Sequence, residues 1–186
     1  DWNLTRGTYS YVGFKNYAWL FAGSGWKTFL PSLQITALYT FGEVAVTLVG
    51  GIALALLYDR MTRSFNIMRV ALVIPRYIVV SSTALVFMWL YNDMYGVFNY
   101  ILKLLGFSGI NWLGSRDTAL ISLIMFGGWR TVGYAMLIYL SAMKGISPQY
   151  LEAASIDGAN SFQQLIHIKL PLLAPTTLFL VVTTVT

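Results

Sequence analysis

The chain has no cysteine, which excludes disulfides, thiolate nucleophiles and cysteine metal sites while leaving the compartment open. It has one histidine, His167, so neither a histidine metal cluster nor a Ser-His-Asp triad can be assembled. Acids are scarce too, at 7 Asp and Glu, and Glu43 and Asp93 are placed at different depths. Paired carboxylates for acid–base work are therefore absent. The largest deficit is charge itself: 10% of the 186 residues, where a soluble domain carries about 25%. Against it stand 57% hydrophobic residues and a mean hydropathy of +0.66. So few charges cannot solvate a globule of this size, and the chain is a membrane protein. The net charge of +5 is spread along the sequence rather than clustered, which argues against nucleic acid as a partner and for loop charges that orient spans in a lipid bilayer.

A helix that crosses a bilayer needs roughly 20 mostly apolar residues. The hydropathy pattern predicts an all-α polytopic bundle with about four spans: 34–58, interrupted by Glu43; 70–92, with Pro75 and Arg76 near its start; 118–143, with Arg130 at its midpoint; and 172–186. A central arginine costs about 2.5–3.5 kcal/mol on the insertion scale. The Leu, Ile, Phe and Val residues of 118–143 offset roughly 3–5 kcal/mol. That span breaks even, and inserts best with Arg130 turned toward protein or water. The chain starts at Asp1 rather than Met and stops inside an apolar run, so it is expected to be a fragment of a single transmembrane domain. No signal peptide, low-complexity tract or internal repeat is visible.

The connecting segments then alternate between sides. Loops 59–69 and 144–171 carry Arg60, Arg63, Arg69, Lys144 and Lys169; segments 1–33 and 93–117 carry Arg6, Lys15, Lys27, Lys103 and Arg116 over a longer stretch. The denser set favours the cytoplasm. Residues 1–33 lie outside on this topology, which requires a preceding span. Within 93–117, Val97, Ile101, Leu104 and Leu105 share one helical face, predicting a short interfacial helix followed by Trp112 at the membrane surface.

Residues 144–171, KGISPQYLEAASIDGANSFQQLIHIKLP, are too polar to cross and full of helix punctuation. Ser147 precedes Pro148 as N-cap and first helical residue. Gly158 suits a left-handed C-terminal stop. Ser161 with Gln164 reads as a capping box for a second helix, and Pro171 and Pro175 lead into the next span. A polar helical hairpin held by spans at both ends is either a solvated connection or a docking element, and periodicity does not decide between them.

Glu152-Ala153-Ala154, then Gly158, then Ile168-Lys169-Leu170-Pro171 resemble the EAA signature of bacterial ABC-importer permeases. The extended run, together with YGVFN (95–99), NWLG (111–114) and VGFKNY (12–17), is similar to the carbohydrate-uptake branch, which includes maltose, multiple-sugar and glycerol-3-phosphate permeases. The resemblance implies an inner-membrane, multi-pass subunit that pairs with a second permease, two ABC ATPase copies and an extracytoplasmic solute-binding protein. It implies that Glu152, Ala153, Ala154, Gly158, Ile168, Leu170 and Pro171 couple to the ATPase. ATP and Mg would then reside on that partner, with no cofactor, metal or catalytic residue on this chain, and a sugar-type solute would cross by alternating access. An ion-coupled secondary transporter or a non-transporting membrane scaffold are the alternatives; Glu43 would be the sole intramembrane acid for an ion site.

Some signals are weaker. Gly23-Ser24-Gly25-Trp26-Lys27-Thr28 looks like a phosphate loop, which needs Gly-Lys adjacent after a strand, but Trp26 intervenes and the segment lies outside, just before a membrane span. Asn3-Leu4-Thr5 is an incidental glycosylation sequon. His167 is read as a solvated or docking-face residue. Glu43 and Arg130, ionisable within spans, line a pathway or pair structurally. Trp89, Tyr91, Trp129 and Tyr134 offer stacking faces and hydrogen bonds to a sugar, or belong to a lipid belt. Gly50-Gly51 and Gly127-Gly128 permit close helix packing.

Overall fold

The computed structural model describes residues 2–3, 7–9, 11–59 and 66–185. Leu4, Thr5, Arg6, Arg60, Arg63 and Thr186 lie outside the described residues. Residues 1–38 and 39–186 form two units. In the first, β1 (Trp2–Asn3) pairs antiparallel with β2 (Thr8–Tyr9), a ladder of two residues on each side. α1 (Lys15–Ala22) follows. Trp19 Nε1 donates to Ser24 Oγ at 3.0 Å, and the Trp19 ring covers Gly25, where an added Cβ would stand 2.7 Å from Cε3. The turn at Gly23–Gly25 is therefore packed against an indole and is not an open phosphate cradle.

α2 (Trp26–Asp59) belongs to both units and is longer than the apolar stretch 34–58. Its extra turns hold Pro31 inside the helix, where the ring removes the N–H that would otherwise reach the Lys27 carbonyl. The rest of the second unit is α3 (Asn66–Val73), a 3₁₀ turn Ile74–Arg76, α4 (Val80–Leu90), α5 (Val97–Leu104), α6 (Arg116–Lys144), α7 (Pro148–Ile156), α8 (Ser161–Gln164), a π-helical turn Leu165–Lys169, α9 (Leu170–Leu172) and α10 (Ala174–Val185). α2 and α6 are each long and apolar enough to cross a membrane. Two bent pairs raise the number of candidate spans to four: Met68–Arg76 with Val80–Leu90 at 104°, and Ser161–Leu172 with Ala174–Val185 at 63°.

The stretch expected as the span 70–92 is thus built from two helical pieces bent by 104°. Pro75 removes an amide and its ring excludes the preceding carbonyl, so the helix tightens into the 3₁₀ turn and restarts at Val80. The chain entering the fourth span bends around Leu173, between Pro171 and Pro175, and α10 begins at Ala174.

α6 is the hub of the second unit, and small residues are what let its neighbours approach. Gly51 of α2 sits on Ala135, where an added Cβ would come within 2.6 Å of the alanine methyl. Gly128 faces Val46, Gly50 faces Val132, and Gly133 lies directly on the Leu72 carbonyl of α3. In lipid, where burial of apolar surface drives little, such close backbone contact and interhelical hydrogen bonds supply cohesion. Thr47 and Thr131 provide one such bond, with hydroxyls 2.6 Å apart and both residues buried. Thr131 also reaches the Gly127 carbonyl at 3.0 Å. Tyr139 and Thr177 join α6 to α10 with hydroxyls 3.0 Å apart, over a core of Ala55, Met136, Tyr139, Leu173 and Leu180.

At the other end of α6 the segment 92–115 folds around Asn99, which is 1% exposed. Its amide donates to the Asp93 carbonyl (3.1 Å) and the Ile110 carbonyl (2.9 Å) and accepts from Ile110 N–H (3.0 Å) and Trp112 Nε1 (2.9 Å). One polar side chain thereby fixes both ends of the loop. The apolar face expected of the short helix points outward: Ile101, Leu104 and Leu105 are exposed, while Asn99 is what α5 buries.

Candidate functional site

The EAA residues lie on a hairpin whose turn is closed at every position by backbone or side-chain bonds. α7 starts at Ser147 in extended conformation with Pro148 in its first turn, although the Ser147 hydroxyl makes no capping bond. Its end is a Schellman arrangement: Gly158 N–H donates to the Ser155 carbonyl (3.1 Å) and Ala159 N–H to the Ala154 carbonyl (2.9 Å), with Gly158 at φ +82°. That left-handed backbone is open to glycine without strain.

The next helix is capped by Asn160, correcting the expected Ser161–Gln164 box by one residue. Asn160 Oδ1 accepts from Phe162 N–H (3.1 Å) and Gln163 N–H (2.9 Å), and Gln163 Oε1 accepts from Asn160 N–H (2.8 Å). Gln164 is released from capping to tie the hairpin together, donating to Ser155 Oγ at 2.9 Å and the Ala159 carbonyl at 3.2 Å. A cleft of about 350 Å³ lies within the hairpin, lined by Ala154, Gly158, Ala159, Gln163, His167 and Ile168 among others.

Outside this cleft the hairpin presents Glu152 and Ala153 to the surface, beside Tyr150 (59% exposed), Ile156 (87%) and Phe162 (68%). Those three apolar side chains were not singled out in the sequence; their helical positions carry no warning, because only the fold shows that none of the described residues covers them. His167 is exposed, with Nδ1 3.0 Å from the Gln163 carbonyl. Ile168 is half-buried, and Leu170 and Pro171 are exposed. The π turn ends at Lys169, just before Pro171, whose ring would clash with the carbonyl four residues back in a regular helix; widening the turn accommodates it. Lys169 Nζ pairs with Asp59 Oδ2 of α2 at 3.5 Å.

The six span residues considered for a pathway separate into distinct environments. Glu43 lies on α6 at Gly127, so closely that an added Cβ there would be 2.7 Å from Oε1 and 3.0 Å from the Tyr39 hydroxyl. Glu43 and Tyr39 of α2 thus meet α6 at Gly127, one turn before Arg130, and all three side chains are half-buried. Arg130 has its guanidinium 5.9 Å from the Phe126 ring centre, and its buried Nε has no hydrogen-bond partner among the described residues. Tyr134, one turn further along α6, carries the Arg76 guanidinium 5.5 Å from its ring centre.

Tyr91 is a packing residue: 4% exposed, it donates to the Ser122 carbonyl at 2.8 Å and packs on Phe87, Phe98 and Trp112. Trp129 stands 5.0 Å from Phe87 and lines an apolar cavity of about 520 Å³ with Ile78, Val86, Leu90 and Phe98. Trp89 is 52% exposed and is not among the residues lining that cavity.

Apolar helices packed through glycine, threonine and alanine, with a closed polar hairpin set between two of them, define a polytopic helical membrane component. The chain belongs to the family described as binding-protein-dependent transport system inner membrane component, whose model matches residues 48–186. It is 31% identical over 165 residues to the trehalose/maltose transport system permease protein MalF of Thermococcus litoralis, covering 89% of this chain and 55% of that protein. It is 32% identical over 178 residues to the arabinooligosaccharides transport system permease protein AraP of Bacillus subtilis, covering 95% and 56%. The chain therefore spans little more than half the length of these relatives. The fold is similar to that in the crystal structure of a bacterial ABC transporter involved in the import of the acidic polysaccharide alginate, with a TM-score of 0.79, 23% identity, and coverage of 94% of this chain and 60% of that one.

Proposed function

We propose that this chain is part of a permease subunit of an ATP-binding-cassette importer that carries a sugar or sugar-like solute inward across the bacterial cytoplasmic membrane. The observation that carries the reading is the hairpin: a rigid, internally bonded element that exposes Glu152, Ala153 and apolar Tyr150, Ile156 and Phe162 instead of burying them. In a membrane protein, that surface suits a soluble partner with an apolar cleft and a cation for Glu152. The partner is an ABC ATPase, present as two copies and carrying the ATP and Mg. This chain forms and breaks no covalent bond.

Family membership and the sugar-transport names of the relatives support the solute class. A second permease and an extracytoplasmic binding protein complete the assembly. Closing the ATPase dimer pulls the hairpin, and the spans joined to it, α6 and α10, rock between outward-open and inward-open states. The hairpin faces the cytoplasm in this account. Glu43 of α2 and Arg130 and Tyr134 of α6 contribute polar groups to the route, with Trp89 and Trp129 as outer aromatic surfaces.

Affinity purification of the full-length protein from native membranes tests the reading. A soluble ATPase should co-purify with wild type and be lost from Gly158→Asp. A folded protein that retains no ATPase in mild detergent would favour the secondary-transporter or scaffold alternatives.

A further inference from the structure

We propose that Asp59 and Lys169 form an ionic latch between the end of α2 and the coupling hairpin, and that the cavity beside them is the space into which the hairpin moves when the latch opens. The inference rests on the permease reading above and adds two positioning residues to it. Lys169 Nζ lies 3.5 Å from Asp59 Oδ2, with the side chains 20% and 33% exposed. Both residues also line a cavity of about 560 Å³, whose remaining walls are Ala53, Leu56 and Leu57 of α2 and Ser161, Gln164 and Leu165 of the hairpin.

The two elements are thus tied by a polar contact across a gap, where packed helices would leave almost none. Close-packed interfaces move as one body. A gap bridged, among the described residues, by one ion pair permits two positions, and the pair biases which is occupied.

The α2 side of the latch is held in place. Arg69 of α3 donates to the Tyr58 carbonyl at 2.9 Å and lies 5.6 Å from the Tyr58 ring centre, one residue before Asp59. The hairpin side is jointed: Lys169 closes the π turn, and the 63° bend follows within a few residues. Movement therefore falls to the hairpin. Its strength suits a switch, since a partly exposed pair shifts an equilibrium by at most about fivefold and can break in every cycle.

The test uses the complete transporter with its ATPase and binding protein in proteoliposomes. Asp59→Lys and Lys169→Asp should each raise ATP hydrolysis without loaded binding protein by roughly two- to fivefold and lower solute imported per ATP. The exchanged pair, Asp59→Lys with Lys169→Asp, should restore both. Independently, Asp59→Cys with Lys169→Cys, joined by a short bis-methanethiosulfonate linker, should stop transport while the ATPase stays bound, and reductant should restore it. The chain's lack of cysteine makes this labelling selective within it. Single variants that hydrolyse and transport as wild type, an exchange that restores neither readout, or full transport in the linked protein would each overturn the latch. Failure of the unmodified complex to hold its ATPase would instead overturn the permease reading beneath it.

Discussion

Gly158 separates what the hairpin needs conformationally from what it needs chemically. Its φ is +82°, and a Cβ built there meets no atom within 4 Å. The cost of replacing it with alanine is therefore backbone strain alone, about 1–2 kcal/mol for a residue with a side chain in the left-handed region. Two bonds depend on that backbone, Gly158 N–H to Ser155 and Ala159 N–H to Ala154. The same strain bears on Asn160, whose capping box follows two residues later. Strain of this size lowers the population of the closed turn by roughly 5- to 30-fold relative to open forms. Gly158→Ala should accordingly reduce ATP-driven uptake by up to that factor and accelerate amide exchange at Gly158 and Ala159.

Gly158→Asn should retain most activity, because asparagine tolerates the left-handed region. Gly158→Asp adopts the same backbone yet places a further negative charge beside Asp157, and should fail at ATPase binding with the turn intact. Uptake and amide exchange measured together distinguish these outcomes. If Gly158→Ala shows wild-type exchange and wild-type uptake, the turn does not depend on glycine and the reasoning is refuted.

Further outcomes follow from packing. Gly133→Ala drives a methyl into the Leu72 carbonyl, which is backbone and cannot rotate away; the overpacking should cost about 1–3 kcal/mol and lower the melting temperature in detergent by several degrees. Asn99→Ala leaves the Ile110 N–H and Trp112 Nε1 without their acceptor and should destabilise the 92–115 loop by about 2–4 kcal/mol, read as increased proteolysis there and altered Trp112 emission. Arg130→Leu should insert at least as well as wild type, since it removes a central charge, but should impair uptake; unchanged uptake would make the Glu43–Arg130 cluster purely structural.

The fold class was legible because hydropathy is a local property: lipid solvates each span by itself, and runs around Glu43 and Arg130 stayed apolar enough to declare themselves. What composition missed was direction. The 104° bend between Arg76 and Val80 is invisible to a hydropathy average, since Ile74, Tyr77, Ile78 and Val79 keep the stretch apolar through it. The capping register slipped because Ser161 and Asn160 are adjacent competent caps, and only backbone geometry chooses; Asn160, at ψ 168°, is the extended one. In the hairpin, the EAA letters were readable as a linear pattern. The exposure of Ile156 and Phe162 and the Asp59–Lys169 pair were not, since both depend on how distant segments meet. Tyr91 shows the same limit: an aromatic near a span end reads as a stacking surface until its hydroxyl is found on Ser122.

The most direct test of the account is uptake by the full-length transporter in proteoliposomes, using a labelled oligosaccharide with its binding protein outside and ATP trapped inside. The account predicts that uptake requires ATP, persists when ion gradients are collapsed, and disappears with Gly158→Asp. Uptake that survives ATP depletion and stops with the ion gradient would contradict it.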